Sequence, residues 1–140
     1  MCRVIEGVMV FLLVWMSYCD WKTKEIPNYL LLATFVIAMI SRIFLPLASF
    51  WGTVVGVLIG ILFCGISRWT CESIGYGDSW LILSLGICYG GRMVAEILFI
   101  SGFLASIYSI CYCMRHGWNR KYSLPYIPFI AVAYIGRVFL

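Results

Sequence analysis

Charged positions along this chain come in small groups, and they cut it into long apolar runs. The first run extends from about Val4 to Cys19. The second begins after Pro27 and reaches Leu45, just ahead of Pro46. The third, Leu47 to Ser67, is 21 residues without a charge. The fourth is short, Ser79 to Gly91. The fifth runs from Met93 to Met114 and contains Glu96, and the sixth runs from Tyr126 to Leu140 with Pro128 in its first turn. A helix that crosses a bilayer takes roughly 20 mostly apolar residues. The pattern therefore predicts an all-α membrane protein, a compact bundle of six transmembrane helices with very short loops, forming one domain over residues 1–140. The first run has the flavour of a signal peptide, but Glu6 interrupts its basic start and five further runs follow, so it is read as a retained helix.

Composition agrees with this. Hydrophobic residues make up 64% of the chain and charged residues 11%, against about 25% charged in an average soluble domain. So few charges cannot coat a soluble globule, and so apolar a chain is not disordered. The net charge of +4 is spread along the sequence. It makes no clustered basic face, so nucleic acid is not an expected partner. Seven cysteines lie mostly in apolar runs without a C-x-x-C pair, so neither a disulfide framework nor a metal site is expected. No cofactor is expected either.

Small residues recur at helical spacing. Gly52, Gly56 and Gly60 form two consecutive G-x-x-x-G steps on the third helix, Gly86 and Gly90 one on the fourth, and Gly102 and Ser106 a similar pair on the fifth. Such positions let backbones approach closely in lipid, which predicts that helices three and four lie inside the bundle. Lys22, Lys24, Arg68, Arg115, Arg120 and Lys121 fall in odd-numbered loops, and Arg3, Arg42, Arg92 and Arg137 on the other side. This excess puts the odd loops in the cytoplasm and both termini outside. His116 stands alone in a basic, aromatic stretch that suits headgroup anchoring rather than catalysis. Arg92 and Glu96 are spaced for a local ion pair.

The chain has two aspartates. Asp20 ends the first run and Asp78 opens the fourth. Parity puts both on one membrane face. Acidic residues at membrane depth are costly and mark function by default. Two carboxylates held together share a proton, leaving one general base and one general acid, the equipment for activating water against a peptide bond. The competing reading is helix capping. Asp is a favoured N-cap, which would explain Asp78, whereas Asp20 sits at a helix C-terminus where the dipole disfavours a negative charge.

The surrounding residues sharpen the choice. Gly75-Tyr76-Gly77-Asp78 is a G-x-G-D segment, with glycines that leave the backbone bare for a close approach. Asp20-Trp21-Lys22-Thr23-Lys24-Glu25-Ile26-Pro27-Asn28 joins an aspartate, a basic stretch and I-P-N, and Leu124-Pro125-Tyr126-Ile127-Pro128 places paired prolines at the last helix. In this order the motifs resemble the type IV prepilin peptidases, membrane-embedded aspartyl proteases, along essentially the whole chain. Preflagellin peptidases share the signature. The resemblance implies a multi-pass protein of a bacterial or archaeal inner membrane. It further implies a cytoplasmic-face site with Asp20 and Asp78 as the catalytic pair, and a membrane-tethered prepilin or pseudopilin-like precursor as substrate. Gly75, Gly77, Glu72, Lys22, Lys24, Pro27, Asn28 and Trp80 would shape the site or contact the substrate. The oligomeric state is left open.

Two departures stand out. The family commonly has a lysine two positions after the aspartate of G-x-G-D, where this chain has Trp80. That feature favours the alternative of a catalytically impaired homologue that assists pilin assembly. Larger members also carry an N-terminal methyltransferase domain with C-x-x-C zinc motifs that are not found here, so peptidase activity alone is expected. Glu72, in the position of a family acid, would attract a basic leader, or else face Arg68 in a solvated loop. If it attracts the leader, Glu72→Gln should lower cleavage only modestly, with the loss in KM rather than kcat, as steady-state assays would read directly.

Overall fold

The computed structural model describes residues 2–45, 48–69, 76–118 and 124–140. Within them it has six helices: α1 (Cys2–Thr23), α2 (Asn28–Phe44), α3 (Phe50–Trp69), α4 (Tyr76–Tyr89), α5 (Gly91–His116) and α6 (Ile127–Phe139). Glu72, Gly75, Arg120 and Lys121 lie outside the described residues. Three stretches, Arg3–Thr23, Phe50–Trp69 and Gly91–His116, are long and apolar enough to cross a membrane, while Asn28–Phe44 and Ile127–Phe139 are shorter apolar helices. At about 1.5 Å per residue, the 14 residues of α4 span about 21 Å, short of a hydrocarbon core of about 30 Å. The six-helix pattern is therefore present, but by length only three helices qualify as spans.

The helix ends follow from local chemistry. The last turn of α1 closes where the Thr23 hydroxyl, with one hydrogen to share, lies 2.8 Å from the Cys19 carbonyl and 3.0 Å from the Glu25 carbonyl. Lys24 then turns left-handed (φ 54°), and its N–H bonds to the Asp20 carbonyl at 2.9 Å. Pro27 precedes α2 with φ −65° and contributes the carbonyl that receives the Leu30 N–H. A single residue, Gly90, separates α4 from α5. It has φ 83°, a conformation open to glycine and strained for other residues.

Helix α4 is the hub. It packs on α2, α3 and α5, while α6 packs on α1 and α5. The core joins Met9, Leu13 and Met16 of α1 to Leu81, Ile82 and Leu85 of α4, Val94 and Ile97 of α5, and Ile127, Ile130 and Tyr134 of α6. Outside it stand large apolar side chains such as Phe11, Trp15, Leu58, Leu62, Phe99 and Phe103, all exposed. A soluble monomer does not carry apolar surface on this scale, and these faces are the ones that meet lipid in a multi-pass membrane protein.

The glycine spacing is realised where α3 meets α4, the most extensive helix pair. A Cβ on Gly56 would lie 2.5 Å from the Gly86 carbonyl oxygen, and one on Gly60 would lie 2.7 Å from the Leu83 Cα. The backbones touch. One expectation is corrected: α4 is interior, but α3 is not, since only Gly56, Gly60 and Ser67 on it are buried. The seam buries the glycine stripe, Ile59 and Phe63 pack in part against the core, and Val55, Leu58, Ile61 and Leu62 face outward. The Gly102–Ser106 pair is no seam either. Ser106 donates to the Gly102 carbonyl of its own helix (2.8 Å), and the nearest atom to a Cβ on Gly102 is the Tyr126 hydroxyl at 3.9 Å.

This contrast gives a test. Gly86→Ala must push α3 and α4 apart at their closest point, and overpacking of that kind costs about 1–3 kcal/mol. Gly65→Ala, on α3, enters open space and gains about 0.5–1 kcal/mol from helix propensity. Thermal melting in detergent should show the first variant below wild type and the second at or above it.

Candidate active site

Asp20 and Asp78 are both buried, 8% and 7% exposed. Asp20 lies in the last turn of α1. Asp78 is the third residue of α4 and a member of the helix rather than a residue ahead of it. The two are close enough for the charge of Asp20 to act on Asp78. The segments around them also interlock. The Ile26 side chain packs directly onto Gly77, where any Cβ would collide with its Cδ1. The residue ahead of Pro27 is thus seated on the residue ahead of Asp78, and a side chain at position 77 would displace the end of Ile26.

Asp20 has a further partner that spacing along the chain does not show: the backbone N–H of Ile127 donates to its carboxylate. The first turn of α6 explains why that N–H is free. Pro128 has no N–H to give. The N–H groups of Phe129 and Ile130 both turn back to the Tyr126 carbonyl, at 3.1 and 3.3 Å. No side chain caps the helix locally. Among the first N–H groups of α6, Ile127's is therefore the one left over, and it meets a carboxylate from another helix. This suits the positive end of a helix dipole. Asp20 is thus a cap after all, of α6 rather than of α1. Its second oxygen, Oδ2, is buried and without a hydrogen-bond partner among the described residues. Buried polar atoms are normally satisfied, and this oxygen is an exception.

Tyr126 completes the surroundings. Asp78 acts electrostatically on it, and its hydroxyl lies 2.9 Å from the Ser101 Oγ of α5. Four helices thus converge: the end of α1, the starts of α4 and α6, and the middle of α5. Neither Ser101 nor the roles of Tyr126 and Ile127 emerged from the sequence. The only signal there was the paired-proline segment, which marks where α6 begins.

The remaining site residues are placed as follows. Lys22, Lys24 and Asn28 are exposed and Pro27 is half-buried. Trp80 is half-buried, edge-on to Phe35 of α2 (5.9 Å between ring centres) and to Tyr76 (6.2 Å). Two residues along a helix turn through about 200°, so Trp80 leaves α4 on a different side from Asp78. At the opposite end of α6, Arg92 reaches Glu96 at 3.6 Å as its spacing predicted, and Arg137 joins the same carboxylate at 2.6 Å. Among the described residues no three His, Cys, Asp or Glu side chains gather in a way that could hold a metal ion.

The chain is 27% identical over 129 residues to the prepilin leader peptidase/N-methyltransferase of Bacillus subtilis, an alignment covering 91% of this chain and 52% of that protein. It is 26% identical to the proteins of the same name from Dichelobacter nodosus and Burkholderia pseudomallei, over 90% and 89% of this chain and 45% and 42% of theirs. The chain therefore spans about half the length of these relatives. No solved structure matches it. The model of the type IV leader peptidase family matches residues 7–110, a stretch that holds both buried aspartates. On that match, which covers most of its length, the chain belongs to the type IV leader peptidase family.

Proposed function

We propose that this chain is an aspartyl endopeptidase that removes the basic leader of a membrane-tethered, prepilin-like precursor. The observation that carries the reading is two buried carboxylates from separate helices, near enough for the charge of one to act on the other, and one of them with an unpartnered buried oxygen. Membership of the type IV leader peptidase family supports the substrate class.

The mechanism follows from the pair. One ionised aspartate takes a proton from a water molecule as that water attacks the scissile carbonyl. The other aspartate, protonated, gives its proton to the carbonyl oxygen. Collapse of the resulting diol returns a proton to the leaving amine, and the pair is restored with one proton shared. The apolar surroundings keep other water away and strengthen these charge interactions. No covalent intermediate forms.

The substrate's features fit the same end of the bundle. Its basic leader is drawn to a site with two acidic groups, and its apolar stretch lies in the bilayer beside the helices. The excess of Lys and Arg flanking this end supports a cytoplasmic face for it, with six crossings, both termini outside and one domain. In this reading Gly77 keeps the two aspartate segments in contact, Pro27 fixes the turn between them, and Lys22, Lys24 and Asn28 form the exposed rim.

Asp20→Asn and Asp78→Asn are each expected to cut leader cleavage by about 10²–10⁴-fold, the contribution of a positioned acid or base. Both variants should remain inserted and folded. In Asp20→Asn the amide oxygen of the new side chain can still accept the Ile127 N–H, so the cap on α6 survives that substitution. Asp20→Ala removes the cap as well and should lower stability by about 0.5–2 kcal/mol. Gel assays of leader removal, read beside thermal melts, separate the two effects. Near wild-type cleavage by either asparagine variant would overturn the reading.

A further inference from the structure

The first turn of α6 holds one catalytic candidate, and besides its own backbone bonds to the Tyr126 carbonyl no side chain caps it locally. Tyr126 has no side-chain cap bond. The turn is held from outside, by Ile127 N–H on Asp20 at one side and by the Tyr126 phenol on Ser101 at the other. Ser101 is itself immobilised: it is fully buried, and its Oγ donates to the Leu98 carbonyl at 3.1 Å.

The Tyr126 hydroxyl and Ser101 Oγ lie 2.9 Å apart, and either can donate. This contact ties α6 to the middle of α5 at the residue directly before Ile127.

We propose that Tyr126 is a positioning residue for the acid–base pair: bonded to Ser101 of α5, it fixes the first turn of α6 so that the Ile127 N–H meets the Asp20 carboxylate and holds it toward Asp78. The inference deepens the peptidase reading and rests on it. A displacement of about 1 Å in a reacting group can cost on the order of 100-fold in rate, so an anchor one residue away from the contact is well placed to matter. Loss of the phenol hydroxyl should not unfold the chain, because Ser101 keeps its bond to Leu98 and the ring keeps its place.

The test uses purified full chain and a synthetic peptide with a basic leader followed by an apolar segment. Tyr126→Phe should lower kcat by about 10–100-fold at unchanged KM, with a melting temperature near wild type. Ser101→Ala should do the same, and Ser101→Thr, which keeps the hydroxyl, should restore the rate. The double variant Tyr126→Phe/Ser101→Ala should be no slower than either single one, since both break one tie. Hydrogen exchange should show the Ile127 amide less protected in Tyr126→Phe, a readout that does not depend on cleavage. Wild-type kcat in Tyr126→Phe overturns the inference. So does a rise in KM alone, which would make Tyr126 a substrate contact, and so do losses that multiply in the double variant. If Asp78→Asn is inactive while Tyr126→Phe is normal, only this inference falls. If Asp78→Asn still cleaves, the peptidase reading falls first.

Discussion

A carboxylate buried in a membrane bundle has to find its partners within the protein, and Asp20 finds one at the start of α6. The bond from the Ile127 N–H ties the last turn of the first helix to the first turn of the last. It serves both sides. A helix end in apolar surroundings has N–H groups that water cannot satisfy, and the carboxylate takes the one that Pro128 and the Tyr126 carbonyl leave over. In return the carboxylate is held by a rigid element rather than by a loop. The same contact closes the ring of helices, because α1 and α6 are the chain's two ends and pack side by side.

Asp78 arrives by a different route. Its position depends on where α4 sits, and α4 is set by the glycine seam with α3. With Gly56 against Gly86 and Gly60 against Leu83, the two backbones have one close-packed register. Ser79, next to Asp78, is fully buried and within 3.4 Å of the Phe63 carbonyl of α3. The seam thus reaches up to the acid itself. At the same level Ile26 presses on Gly77 from the other side. One aspartate is placed by a polar bond across the bundle, the other by apolar packing against a helix that contributes little else to the core.

What the sequence displayed, and what it hid, follows from this difference. Charges at Lys22–Glu25, Arg68 and Arg115 mark helix ends because they cannot be buried cheaply, so six helices were legible. The ends themselves were not, since Asp20 and Asp78 read as boundary residues and instead lie within α1 and α4. Gly56 and Gly86 were legible as contact points. Gly102 and Ser106 looked the same and face no helix at close range, because spacing reports a stripe and says nothing about what lies opposite. Weighing Asp20 as a cap of its own helix missed its role as a cap of another, and the Tyr126–Ser101 bond spans 25 positions with no pattern along the chain to announce it. The paired prolines were visible as a motif. Their physical work, removing one N–H and leaving Ile127's for Asp20, is visible only when the first turn of α6 is counted bond by bond.

The two ends of α6 carry opposite electrostatic solutions. At its start, buried carboxylates sit near the positive end of the helix with few compensating side chains among the described residues. At its far end, Glu96 is clasped by Arg92 and Arg137, and Arg92 is almost fully exposed. An acid paired twice at the rim is electrostatically quiet and serves to join α5 to α6. Asp20, by contrast, keeps a buried oxygen without a partner among the described residues, in apolar surroundings where such an atom is costly. That asymmetry, within a single helix and its neighbours, separates an acid that joins two helices from one whose hydrogen-bonding capacity the fold leaves unused.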